Sequence, residues 1–74
     1  MRVKINLDTA SDAIKLSEIT STLEGKITIT DGAGLKVNAK SVMGALYSLE
    51  FSELWLESDH DIYHHILDFI KVED

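Results

Sequence analysis

Three residue groups in this chain could do chemistry. His60, His64 and His65 are its only imidazoles, and no cysteine accompanies them. His60 and His64 stand four residues apart with Asp61 between them, so on an α-helix both would face one metal ion. A solvated polar helix face shows the same spacing without any metal, and that is the expectation; no metal site is assigned. Ser41 precedes an apolar helical run. From spacing alone its role there is to cap the helix, contributing about 1 kcal/mol. The third group is Asp8-Thr9-Ala10-Ser11-Asp12. Its hydroxyls would form only stable phosphate esters, and its carboxylates would repel an incoming phosphate by about 1 kcal/mol each at surface dielectric.

The elements that must position these groups follow from periodicity. Met1, Val3, Ile5 and Leu7 alternate with Arg2, Lys4 and Asn6, predicting a first strand with one wet face. Asp8, Thr9 and Ser11 offer N-caps for a helix over Ala10 to Glu24, with Ala13, Leu16, Ile19 and Leu23 at helical spacing and Gly25 as its stop. Ile27 and Ile29, the turn Asp31-Gly32-Ala33-Gly34, and then Leu35 and Val37 read as a hairpin. Ser41 caps a short helix with Val42, Ala45, Leu46 and Leu49 inward, which Gly44 weakens by up to about 1 kcal/mol. Helical spacing does not say which of Val42, Met43 and Leu46 point outward; the expectation is that Val42 and Leu46 are core and only Met43 is exposed. A fourth strand, Glu53 to Glu57, turns Leu54 and Leu56 in and Trp55 out, where the ring either marks a partner surface or covers neighbouring aliphatic stems. Ser58 or Asp59 then caps a last helix with Ile62, Ile66, Phe69 and Ile70 as its apolar stripe.

The order βαββαβα predicts an α+β fold. Two crossovers around one hairpin give a four-stranded antiparallel sheet with three helices on one face, an open-faced sandwich of the split βαβ kind. At 74 residues this is a single domain over 1–74, and without cysteine it stands on packing alone. Thirteen acidic against seven basic residues give a net charge of −6, which disfavours nucleic acid and anionic membrane as partners. No apolar run approaches the roughly 20 residues that span a bilayer, and the first seven residues lack a signal-peptide core, so a cytoplasmic location is expected. No paired carboxylates, glycine-rich phosphate loop or Ser-His-Asp set can be argued from spacing, so neither a catalytic residue nor a cofactor is expected.

The stretch Val37-Asn38-Ala39-Lys40-Ser41-Val42-Met43-Gly44, followed by Ser48-Leu49, resembles the region around the regulatory serine of HPr, the phosphocarrier of the bacterial sugar phosphotransferase system. Tyr47 stands as an extra residue against that pattern, and the link from Leu49 to Glu53 is short. The element order extends the resemblance over essentially the whole chain. It implies an HPr-like fold, Ser41 at the position that a bifunctional HPr kinase phosphorylates, and Lys40, Val42, Met43 and Leu46 in the helix that partner proteins grip. Where the family begins its first helix with Gly-x-His-x-Arg-Pro-Ala, this chain reads Leu7-Asp8-Thr9-Ala10-Ser11-Asp12-Ala13.

A phosphocarrier needs a nucleophile whose phospho-form has high transfer potential, and imidazole at a helix start meets that need. Its absence here implies a non-catalytic regulatory or protein-binding module whose partners are phosphotransferase-system or control proteins. The alternatives are a phosphocarrier with a relocated acceptor, and a structural or assembly protein that reuses the topology.

Overall fold

In the computed structural model, which describes residues 1–71, the alternation of the sequence becomes one antiparallel sheet of β1 (Arg2–Lys4), β2 (Ile27–Thr30), β3 (Lys36–Asn38) and β4 (Trp55–Ser58). The strand order is β1-β4-β2-β3. Both β1 and β2 run antiparallel to the intervening β4, so the two strands joined by α1 (Ala10–Ser21) are parallel and split by another strand. The same holds for β3 and β4, joined by α2 (Val42–Tyr47) and split by β2. The fold is α+β, βαββαβ in order, with two main helices.

Register explains which side is wet. Val3, Leu56, Ile29 and Val37 lie opposite one another across all four strands and face the helices. The flanking rows, Lys4-Trp55-Thr30-Lys36 and Arg2-Glu57-Thr28-Asn38, occupy the other face. Leu16 and Ala13 of α1 and Ala45 of α2 complete one core with Ile27, Ile29, Leu56, Ile66 and Phe69. Burying each large aliphatic side chain there contributes about 1.5–3 kcal/mol. Thr20 ties the layers together, its hydroxyl donating to the Ala39 carbonyl at 2.7 Å just before α2. No buried side-chain polar atom among the described residues lacks a partner.

Several expectations are corrected. The helix expected near the C-terminus is two 3-10 turns, Tyr63–His65 and Leu67–Phe69. Its backbone has partners elsewhere: Ile62 N–H donates to the Met1 thioether, and Tyr63 N–H to the Asp61 carboxylate at 3.1 Å. The segment then pairs with the outer edge of β1, Asn6 N–H donating to the Phe69 carbonyl at 2.8 Å and Lys71 N–H to the Lys4 carbonyl at 3.1 Å. Three isoleucines, a tyrosine and two histidines also give this stretch poor helix propensity.

α1 stops at Ser21 rather than Glu24, because the hydroxyls of Ser21 and Thr22 bond back to Glu18 and Ile19 carbonyls and the last bonds tighten to 3-10 form. β1 is confined to Arg2–Lys4, with Ile5 continuing only as a bridge to Ile70. β4 is Trp55–Ser58, shifted towards the C-terminus. Leu35 is exposed, because it belongs to a turn in which Asp31 accepts from Ala33 and Leu35 N–H. Of the domain expected over 1–74, residues 72–74 lie outside the described residues.

Candidate functional site

The two helix starts are built from different chemistry. Thr9 caps α1, its hydroxyl accepting from Asp12 N–H at 3.2 Å, while the Asp12 carboxylate accepts from Thr9 N–H at 3.3 Å and Asp8 N–H at 3.0 Å. Asp8 in turn accepts from the Asn6 amide at 3.0 Å. A carboxylate therefore already occupies the positive end of the helix, and a second anion placed there would meet Asp8 and Asp12 together. Neither Thr9 nor Ser11 has an imidazole beside it in this segment.

α2 begins without any charge of its own. The Ser41 hydroxyl accepts from Gly44 N–H at 3.2 Å, and the first turn holds no acidic residue. Gly44 is required by proximity rather than by turn geometry: a Cβ there would lie 2.7 Å from the Asn38 carbonyl oxygen, closer than side chains approach backbone. The glycine thus lets α2 lie against the end of β3. Ahead of the helix, Lys40 folds back so that its ammonium donates to the Leu23 carbonyl at 2.6 Å, capping the chain that leaves α1.

Among the residues the sequence singled out here, Met43 is 81% exposed and Val42 46%, whereas Leu46 is half-buried against the core. Val42 corrects the expectation that it is core: Ala45 alone of the helix proper is fully buried, so the short helix touches the core along a narrow line. Sequence reasoning left out Tyr47, which is 57% exposed and meets Phe51 edge-on at 5.8 Å between ring centroids. Its signal was its position four residues after Met43, one helical turn along the same face.

The other candidates separate. His60 and His64 share no helix: His60 packs beside Gly25 and lies 3.9 Å from the Asp59 carboxylate, while the His64 ring stands edge-on to Tyr63. The helix that would have set both on one face is absent, and no group of three or more potential ligands forms among the described residues. Trp55 lies under two cations, with the Arg2 guanidinium 4.8 Å and the Lys4 ammonium 5.5 Å from its ring centroid and Gly32 against its edge. Arg2 and Lys36 both pair with Glu57, and Lys4 with Glu53. The ring and its neighbours therefore cover one another on the open face of the sheet.

No helix of the described residues is long and apolar enough to cross a membrane. Comparisons with protein-family models, with curated proteins and with solved structures find no match to this chain.

Proposed function

We propose that this chain is an HPr-like regulatory module that binds proteins through α2 and carries no phosphoryl group in transit. The reading rests on one observation, the contrast between the two helix starts: a carboxylate fills the first, while the second offers a serine hydroxyl beside an exposed apolar surface. The parallel strand pairs, each split by a third strand, are consistent with the open-faced sandwich that the resemblance implies.

Phosphorylation of Ser41 by an HPr kinase would serve as the control in this reading. The serine oxygen takes the γ-phosphoryl of ATP as the bond to the bridging oxygen breaks and ADP leaves, its proton passing to the kinase or to water, and the product dianion faces the N–H groups of the first turn with no carboxylate in that turn to oppose it. The phosphate would also stand beside Val42 and Met43, so that a partner gripping the apolar surface meets a charge in one state and a hydroxyl in the other. The proteins expected to dock are those of the phosphotransferase system or of its transcriptional control.

The test is incubation of the purified protein with an HPr kinase and ATP, followed by peptide mass spectrometry and by NMR titration of the labelled protein with the kinase. The expected result is phosphate on the peptide holding Ser41, together with amide shifts concentrated in Lys40–Tyr47. An unmodified Ser41 with unmoved α2 amides would sink the reading.

A further inference from the structure

Alternation along β2, β3 and β4 turns Lys26, Thr28, Lys36, Asn38, Glu57 and Asp59 onto the open face of the sheet, where they line a cleft of about 710 Å3. Thr28 stands in the middle, opposite Asn38 on one side and Glu57 on the other. Because Ala39 N–H donates to the Ile27 carbonyl at 3.0 Å, the β2–β3 ladder bonds skip the Thr28–Asn38 pair, and these two side chains are the close kind of cross-strand neighbours, with Cβ atoms about 5 Å apart. Lys26 lies two residues back on the same face, about 7 Å along the strand, within reach of its four-carbon stem.

Charge and hydrogen bonding in the cleft divide by strand. The carboxylates belong to the β4 side and already have partners: Glu57 pairs with Lys36 at 3.0 Å and Arg2 at 3.8 Å, and Asp59 accepts from Lys26 N–H at 3.1 Å. The donors on the β2 and β3 side do not. Asn38 spends its side-chain oxygen on Lys40 N–H at 2.9 Å, which leaves its amide nitrogen, a donor only, without a partner among the described residues. The Thr28 hydroxyl and the Lys26 ammonium are equally unpartnered there. Lys40 borders the cleft as well, but its ammonium is turned onto the Leu23 carbonyl and takes no part.

We propose that this cleft binds a small phosphate monoester, its phosphate held by the Lys26 ammonium, the Asn38 amide and the Thr28 hydroxyl. Phosphate presents three terminal oxygens, one for each of these donors, where a carboxylate presents two. Lys36, while paired with Glu57, keeps further N–H groups to turn towards the same anion. The organic part of the ligand follows from size: the cleft falls within the range of small-molecule sites, about 300–1,000 Å3, and holds more than the ion alone. The carboxylates on the β4 side leave acceptor oxygens for hydroxyl groups of that part. A net charge of −6 opposes any anion, so the dissociation constant should be on the order of 1 mM.

The inference uses neither α2 nor the family resemblance. Its test is NMR titration of the isotope-labelled full chain with glycerol phosphate, inorganic phosphate and acetate, each at constant ionic strength. The expected result is saturating amide shifts centred on Lys26–Thr28 and Lys36–Asn38, with the ester binding more tightly than inorganic phosphate and acetate the weakest. Lys26→Gln should weaken binding of the ester about fivefold. Asn38→Asp keeps the oxygen that Lys40 N–H requires, replaces the donor with a charge, and should weaken binding about tenfold. Should that variant fail to fold, Thr28→Val, which removes the hydroxyl at nearly constant shape, carries the test with a loss of about threefold. Lys15→Gln removes the same charge from α1, away from the cleft, and should leave affinity nearly unchanged. Shifts that do not saturate overturn the proposal, as does acetate binding as well as the ester, or Lys15→Gln weakening binding as much as Lys26→Gln. Inorganic phosphate binding as tightly as glycerol phosphate overturns the assignment of an ester.

Discussion

The starts of α1 and α2 use the same device, a hydroxyl on the N-cap, to opposite ends. At α1 the device is closed: Thr9 and Asp12 satisfy each other's backbone, and Asp8 adds its own N–H to the same carboxylate. At α2 it is open, since Ser41 bonds one N–H and the helix beyond it exposes valine, methionine and tyrosine. A helix long enough to bury Ala13, Leu16, Ser17 and Thr20 can hold its own position in the fold, and its end is free to be merely stable. A six-residue helix cannot, and α2 is fixed instead by Ala45, by its continuation into Ser48–Glu50 and by the approach of Gly44 to β3.

The largest effect should come from that approach. Gly44→Ala would gain up to about 1 kcal/mol of helix propensity in an open helix. Here the added methyl group meets the Asn38 carbonyl oxygen at 2.7 Å, and moving α2 away from β3 should produce a net loss of about 2 kcal/mol. Urea unfolding followed by circular dichroism measures it. A variant more stable than the parent would mean that α2 does not depend on this contact.

A smaller effect sharpens the contrast in charge. Asp12→Ala and Ser41→Ala each remove capping hydrogen bonds and should each cost about 1 kcal/mol. The Asp12 loss includes attraction between a carboxylate and the helix end, so its cost should shrink when salt is raised towards about 1 M. The Ser41 loss involves a neutral hydroxyl and should hold constant. Equal salt dependence in the two variants would erase the difference between the helix starts.

What could be read from the residues divides along sequence distance. The alternations of Val3, of Ile27 and Ile29, and of Leu56 set the core face of the sheet, because each strand carries its own period-two pattern. Ser41 and Met43 could be read for the same reason, since a cap and a short amphipathic turn are local. The C-terminal stretch could not. Ile62, Ile66 and Phe69 do reach the core, as the helical stripe implied, but the backbone of Ile62, Phe69 and Lys71 finds partners at Met1, Asn6 and Lys4, far back along the chain. Gly44 was misjudged similarly: propensity counts it against the helix, while the carbonyl that requires it belongs to another element. Tyr47 was passed over because comparison with the serine-region pattern made it an extra residue, although its spacing from Met43 was there to be used.

The finest division lies within α2 itself, between its outward stripe and the side that meets the core. Met43→Gln removes an apolar side chain that is already 81% exposed, so folding stability should change by no more than about 0.5 kcal/mol. Leu46→Gln, three residues on, puts an amide into the half-buried layer packed against the core and should cost about 1–3 kcal/mol. Urea midpoints for the two variants separate the roles. The helix faces are assigned correctly only if Leu46→Gln is clearly the more damaging, because Met43 then owes its place to a surface it presents and Leu46 to the core it closes.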